Sequence, residues 1–552
     1  MEEEIELVDP HGIPISISTQ SRWTLVRKLA LMLMALVPFL ALLTKLHSYN
    51  DSWKGLDFRS FAEDLEGNFT WPADKLQDKL LGGLLSDGLD EKSCRSRYAS
   101  ALYHRATTRF PSSYLISKLR SYEALHRKCG PDSESYQRSL ELFRSKNHTE
   151  GGCKYIVWLP RAGLGNRMIT LASTFLYALL TDRVLLVDRE AHLPDLFCEP
   201  FPGSSWIIPS QHSFPINDFK GFDHKSPKSL GNMLKKKAFG SNLSLPLPYV
   251  YAHLESDYGD GDKRFFCDEE QTALRKVSWL LVRSDLYFAP SLFLIPSFQQ
   301  QLEDMFPDKE AVFHLLGRYL FHPSNPVWRA ITRYYNAYLA RAAEKIGIQV
   351  RVLNSRRAPF KQVLKQVLGC VFQENLLPQI DRTRTRSDKF TGGNGTQRHK
   401  AVLITSLAPD YYEAVRDMYE KHGSVTGEAV EVYQPSHEGR QRMNNGIHDM
   451  KAWAEIYLLS LTDKLVTTSK STFGYVAQSL GDVKPWILYK PEEYKEGDDQ
   501  ACRRGGSMEP CFQAPPCLDC KTGGWVDTSK MVPYVKHCED MKSYWGLKLF
   551  GT

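Results

Sequence analysis

The stretch from Tyr155 to Asp188 constrains the fold more tightly than any other part of the chain. Tyr155 to Leu159 (YIVWL) is a short apolar run, and Gly163-Leu164-Gly165-Asn166-Arg167 is a glycine turn. Met168 to Leu180 repeats apolar residues at helical spacing, and Val184 to Asp188 (VLLVD) is a second apolar run. Strand, turn, helix and strand in succession predict a βαβ unit in a parallel sheet. Ser278 to Val282, just before Arg283-Ser284-Asp285, and Ile346 to Val352 read as further strands. A second α/β set follows: strands at Ala401–Thr405, Val430–Tyr433 and Lys464–Thr467, with helices at Tyr411–Tyr419, Ile456–Leu461 and Phe473–Leu480. Residues 112–128 repeat apolar side chains at Leu115, Leu119, Tyr122 and Leu125, a helix that Ser112 or Ser113 is suited to cap. Residues 381–399 are polar and glycine-bearing and read as a loop without order. The fold expected is α/β, with two Rossmann-like lobes and a cleft between them. Ligands in such sheets bind beyond the carboxyl ends of the strands.

Ahead of the lobes, Leu29 to Thr44 (LALMLMALVPFLALLT) carries no charge and is bracketed by Lys28 and Lys45. As a helix it is about 24 Å long, short of the roughly 30 Å core of an average bilayer. Neighbouring apolar residues and a snorkelling Lys28 can extend it. The chain begins MEEEIELVD and has no small-residue cleavage site after Leu43, so the segment reads as an anchor rather than a cleaved signal peptide. The expected organisation is a cytoplasmic tail (1–28), a transmembrane anchor (29–46), a stem (47–80), a first lobe (81–345) and a second lobe with a cysteine-rich tail (346–552).

All eleven cysteines lie beyond residue 90. Cys517 and Cys520 form a C-x-x-C with no second pair to complete a zinc ribbon, so disulfides in an oxidising compartment are expected. The odd count leaves at least one thiol out. Sequons occur at Asn50, Asn68, Asn147, Asn242 and Asn394; all but the membrane-proximal Asn50 are expected to be glycosylated. Cysteines and sequons after the span place the C-terminal bulk in a lumen. The 70 basic and 64 acidic residues nearly balance, which gives no case for nucleic acid as a partner.

Several residues carry candidate chemistry. Gly163-x-Gly165 begins like a dinucleotide fingerprint, but Met168 stands where the third glycine belongs. The turn can instead offer backbone N–H groups, Asn166 and Arg167 to an anion at a helix N-terminus. Arg351 alternates with apolar residues in Ile346–Val352. A charge so placed needs a partner, either an internal carboxylate or a phosphate held by both prongs of the guanidinium. Ser469-Lys470-Ser471-Thr472-Phe473 joins a strand to a helix with hydroxyls suited to a pyrophosphate or to an N-cap. Asp260-Gly261-Asp262 has the form of a metal–nucleotide motif but reads as a loop with no apolar strand before it, so no metal site is expected. Asp285, ending a predicted strand, and Asp540 are the carboxylates considered for proton transfer and donor binding.

Phe110-Pro-Ser-Ser-Tyr-Leu-Ile-Ser-Lys-Leu-Arg120, the Gly163–Arg167 turn, Ala178–Asp188, Ile346-Gly-Ile-Gln-Val-Arg351, Ser471-Thr-Phe-Gly-Tyr-Val-Ala-Gln478 and His537-Cys-Glu-Asp540 resemble plant xyloglucan fucosyltransferases, glycosyltransferase family 37. The resemblance runs from about Leu80 to the C-terminus. It implies a GT-B-like fold, a GDP-β-L-fucose donor, inversion at the anomeric carbon, no metal requirement, and transfer to the 2-hydroxyl of a galactose. It further implies a Golgi type II membrane enzyme acting on a cell-wall polysaccharide, with xyloglucan expected and arabinogalactan-protein glycans the alternative. A catalytically dead, lectin-like scaffold is the contrasting reading. The carried-over donor set is Arg351, Asn166, Arg167, Ser469, Ser471, Thr472, Phe473 and Asp540, with Arg351 and Asp285 in the chemistry. Related enzymes often carry His-x-Arg where this chain has Gln349-Val350-Arg351, and an aspartate where Thr405-Ser406 stands. A homodimer is among the expected assemblies.

Overall fold

The computed structural model describes residues 78–551, apart from 146–151, 190–191, 210–213, 217–218, 240–248, 353–355, 386–398, 444, 490, 493, 498 and 542–544. The Leu29–Thr44 span and all five sequons lie outside the described residues, and no described helix is long and apolar enough to cross a membrane.

The first lobe is built on four strands: β1 (Tyr155–Leu159), β2 (Val184–Val187), β3 (Tyr249–Leu254) and β4 (Trp279–Ser284). Their order is β2-β1-β4-β3, and every pair is parallel. The central β1 and its neighbour β2 are continuously apolar rather than alternating because both faces of the sheet are covered. α1 (Ser113–Cys129) starts where Ser112 accepts the Leu115 N–H, the cap expected from sequence. α2 (Leu164–Thr181) follows the Gly163 turn and is stopped by Asp182 in a left-handed conformation. β3 is absent from the sequence reading, and its presence corrects that reading: an apolar strand does precede Asp260-Gly261-Asp262. The motif itself lies in one helical turn, Asp260–Lys263.

The second lobe holds β5 (Glu344–Val350), β6 (His399–Ser406), β7 (Ala429–Tyr433), β8 (Lys464–Thr468), β9 (Trp486–Leu488) and β10 (Cys502–Arg504). The order is β10-β9-β8-β5-β6-β7, parallel throughout except for the β9–β10 pair. α4 (Gly446–Ser460) and α5 (Thr472–Leu480) connect into and out of β8, and α3 (Val312–Leu320) belongs to the first lobe. Part of the polar loop expected at 381–399 is ordered: Ile380–Thr385 pairs with His422–Ser424.

Strand β5 ends one residue before Arg351, which therefore does not alternate on the strand as the sequence pattern predicted. It is the first residue past the carboxyl edge. Its backbone N–H turns away from the ladder to donate to Thr468 Oγ1 at 2.9 Å.

One apolar core runs from the first lobe through α4 and α5 and into Phe512, Val535 and Leu547 of the C-terminal tail. The tail is bonded to the first lobe as well. Glu509 accepts from Tyr287 Oη and from the Phe313 N–H, each at 2.7 Å, and Cys520 is disulfide-bonded to Cys267. The other bridges are Cys94–Cys198, Cys129–Cys153, Cys370–Cys502 and Cys511–Cys538, and Cys517 stays a thiol.

Candidate active site

The amino ends of α2 and α5 meet head to head, and this junction positions the site. A Cβ on Gly165 would lie 2.8 Å from Thr472 C, Thr472 Oγ1 and Phe473 N. The second glycine of the Gly163-x-Gly165 pair is therefore a packing requirement between two helices and not part of a dinucleotide fingerprint. Asn166 fastens the junction: its Nδ2 donates to Asp285 O at 2.9 Å, and its Oδ1 accepts from Thr472 Oγ1 at 3.0 Å.

A cleft of about 620 Å³ opens beside this junction. Its floor is the carboxyl edge of the second sheet, and strand order lays out its contents. The turn after β8 contributes Thr468 to Thr472, β5 leads to Arg351, β6 ends at Thr405 and Ser406, and Ser436 lies beyond β7. The Gly163–Arg167 turn faces this edge from the first lobe.

The β8–α5 turn is shaped for an anion. Ser471 caps α5 by accepting the Gly474 N–H, and Lys470 sits at φ +60°. Behind the turn, Asp540 accepts from the Lys470 N–H at 3.0 Å and from Tyr475 Oη. Asp540 is buried and absent from the cleft wall, so it supports the turn instead of touching a donor as expected. Gln349 stands in the buried position beside Arg351 and accepts the Thr468 N–H at 3.3 Å, tying β5 to the same turn.

Arg351 lines the cleft, and burial lowers the pKa of its guanidinium. Among the described residues no carboxylate lies within ion-pair distance of it; Nη2 donates to the neutral Gln441 Oε1 at 2.6 Å. The internal ion pair allowed for in the sequence reading is therefore absent there. Arg167, in contrast, is buried and committed to Asp449 Oδ2 of α4 at 2.6 Å. The pair links α2 to α4 at the cleft wall, which both Arg167 and Asp449 line.

The far end of the cleft holds residues that the sequence reading passed over. Glu455 of α4 is buried and accepts from Ser436 Oγ at 2.5 Å; burial pushes its carboxyl up to about 7. Glu438, bonded to His448 Nδ1 at 3.0 Å and to Lys451 Nζ at 2.6 Å, is held down at about 2, with the His448 bond the larger cause. Thr405 Oγ1 is buried on the cleft wall and has no hydrogen-bond partner among the described residues. A lone glutamate inside the apolar run Ala452-Trp-Ala-Glu-Ile-Tyr-Leu-Leu459 was the signal that could have marked Glu455.

Asp285 is not part of the cleft wall. Its Oδ1 accepts the Ser256 N–H at 2.8 Å and its Oδ2 accepts Ser256 Oγ at 3.0 Å, while its carbonyl holds Asn166. The Asp260-Gly261-Asp262 carboxylates are engaged internally. Asp262 accepts from the Gly231 and Gly259 N–H groups, and Asp260 pairs with Lys263 at 2.7 Å.

Residues 59–521 match the family model described as xyloglucan fucosyltransferase. The galactoside 2-alpha-L-fucosyltransferase of Pisum sativum is 55% identical, the match covering 86% of this chain and 82% of the relative. The protein of the same name from Arabidopsis thaliana is 53% identical over 86% of this chain and 83% of the relative. Among solved structures, an arginine-to-lysine mutant of Arabidopsis thaliana FUT1 in complex with GDP superposes with a TM-score of 0.78 at 52% identity, over 86% of this chain and all of that one.

Proposed function

Because the chain belongs to the xyloglucan fucosyltransferase family, we propose that it transfers L-fucose from GDP-β-L-fucose to the 2-hydroxyl of a galactose in a plant cell-wall polysaccharide, most directly xyloglucan. The observation that carries this reading is Arg351: a half-buried guanidinium at a strand's carboxyl edge, beside a hydroxyl-rich helix N-terminus, facing a cleft and, among the described residues, paired only with a neutral amide. The two sheets are read as the lobes of a GT-B-like fold, with the donor on the second.

In this reading the diphosphate lies over the β8–α5 turn, where the hydroxyls of Ser469 and Ser471 and the backbone N–H groups of Thr472 and Phe473 at the helix end can donate to it, the Thr472 hydroxyl being given to Asn166. The C1–O bond of fucose breaks as the acceptor O2 attacks the opposite face, inverting the anomeric carbon. Negative charge then grows on the β-phosphate, and Arg351 with the turn's donors stabilises it. These residues supply the positive charge that a metal supplies in other transferases. The proton of the attacking hydroxyl goes to water, which can relay it to Asp285 outside the cleft wall, whose two accepted bonds leave further lone pairs. The base lies toward β6 and β7, where Thr405 Oγ1 and the Glu455 carboxyl line the wall. The N-terminal span is read as a Golgi signal anchor with a lumenal catalytic region glycosylated at Asn68, Asn147, Asn242 and Asn394.

A panel of GDP-sugars against xyloglucan and arabinogalactan acceptors, run with and without EDTA, tests the reading. Fucosylation of xyloglucan galactose that survives chelation is expected. Transfer from another donor, or complete loss in EDTA restored by manganese, overturns it.

A further inference from the structure

The carboxyl end of α5, opposite the donor turn, abuts a second and smaller cavity of about 150 Å³ lined by His104, Arg105, His314, Arg318, Gly481 and Asp482. Arg318 of α3 is nine-tenths buried, yet among the described residues its guanidinium makes no hydrogen bond and no ion pair. Burying a charge without a partner is strongly unfavourable, so a native fold retains one only where something else answers it.

The protein groups nearby are already engaged. Arg105 donates to Asp463 O, Gly481 O and Asp482 O at 3.0–3.3 Å. Asp482, the carboxylate at the cavity, accepts from Thr107 Oγ1 and from Arg109 Nε, each at 2.8 Å. Asp78, the other acid whose charge reaches Arg318, also lies beyond ion-pair distance. His104 faces Tyr457 Oη at 3.0 Å, and His314 Nδ1 gives its proton to Ser479 O at 2.8 Å. The cavity thus gathers two guanidinium groups and two imidazoles, with its one carboxylate bonded elsewhere.

We propose that this cavity is a binding site for a small tetrahedral oxyanion of the phosphate type, held by Arg318. A cavity of this size admits such an ion together with water, and guanidinium matches its oxygens two at a time. The site is separate from the donor cleft, with which it shares no lining residue, and the nine residues of α5 run between the two. Occupancy would fix the end of the helix whose other end carries the donor turn.

Inorganic phosphate is the probe, titrated against thermal melting of the full chain at constant ionic strength with chloride as the reference. The donor cleft also offers phosphate contacts, so the titration is repeated in Arg351→Ala. A saturable rise of about 2 °C or more is expected in both proteins. Arg318→Met should melt within a few degrees of the parent in phosphate-free buffer and lose the response. Should that variant fail to fold, His104→Glu places a carboxylate beside Arg318 and should itself raise the melting temperature while abolishing the phosphate effect. No saturable effect in the parent would mean that the cavity holds only water and would overturn the proposal. So would a response that disappears in Arg351→Ala, or one that persists undiminished in Arg318→Met or His104→Glu.

Discussion

Gln441 stands between Arg351 and the Gly163 turn: its Oε1 accepts from Arg351 Nη2 at 2.6 Å, and its Nε2 lies 2.6 Å from where a Gly163 Cβ would be. The amide occupies one prong of the guanidinium on which the donor reading depends. A neutral acceptor holds a half-buried cation weakly enough for a phosphate to replace it, whereas a carboxylate would compete in charge as well as geometry.

Gln441→Glu is therefore expected to close an ion pair on Arg351 and weaken GDP binding by about tenfold or more, one such bond being worth roughly 1.5–3 kcal/mol. Gln441→Ala should leave GDP affinity within a few-fold of the parent. Calorimetric titration with GDP distinguishes the pair. Equal affinity of Gln441→Glu and the parent would show that the amide does not stand where a phosphate binds.

Arg351→Ala is expected to fold and to lose nearly all transfer activity, about 10²–10³ in rate for the removal of one charge-stabilising donor. Arg351→Lys keeps the charge but not the two-pronged contact, and should retain only a trace. GDP affinity should fall in both, because the same phosphate is held before and during the reaction. Normal melting together with near-normal turnover would take Arg351 out of the mechanism.

What the sequence disclosed and what it hid follow one physical line. Periodicity and glycine placement are local, so β1, α2, β2, β6, β7, β8 and the α5 cap were legible, and the motif at Arg351 pointed to the cleft. Partners distant in sequence were not. Nothing near Arg167 announces its pairing with Asp449, and nothing near Asp540 announces Lys470 and Tyr475, the contacts that turn Asp540 from an expected donor ligand into a support. The Cys517-x-x-Cys520 pair divides, because Cys520 reaches back to Cys267 across 253 residues. Arg351 was misplaced by one residue for a similar reason: β5 stops where its pairing with β6 stops, at Val350 opposite Ser406. The described residues leave the span and the sequons untouched.

The helix junction offers a test of packing. Gly165→Ala would press a methyl group against backbone atoms of Thr472 and Phe473 at 2.8 Å, which cannot move without shifting the donor turn. A loss of about 1–3 kcal/mol in stability is expected, with GDP affinity falling alongside. Gly163→Ala meets only the flexible amide of Gln441 and should cost much less in stability. Equal melting temperatures for the two variants would refute the close-approach account of Gly165.

Glu455 makes the site pH-sensitive in a direction that can be worked out. Its carboxyl ionises near 4.5 in the unfolded chain and near 7 when folded, because burial disfavours the charged form. The folded state therefore holds the proton more tightly. The resulting stability is fully present below pH 4.5 and is lost as pH rises through 7, by roughly 3 kcal/mol at 1.36 kcal/mol per unit. Nucleotide binding should run the opposite way. The N1–H and 2-amino group of guanine are two adjacent donors, which an ionised carboxylate accepts together and a protonated one cannot. GDP affinity is expected to increase from pH 6 to pH 8, levelling above 7, with a proton released on binding below that point. Glu455→Gln should flatten this profile, remove the matching part of the pH dependence of melting, and weaken GDP more than it weakens inosine diphosphate, which lacks the 2-amino group. Calorimetry with both nucleotides across that range decides the matter. A pH-independent GDP affinity in the parent, or a Glu455→Gln protein that still prefers GDP over inosine diphosphate to the same degree, would remove Glu455 from base recognition.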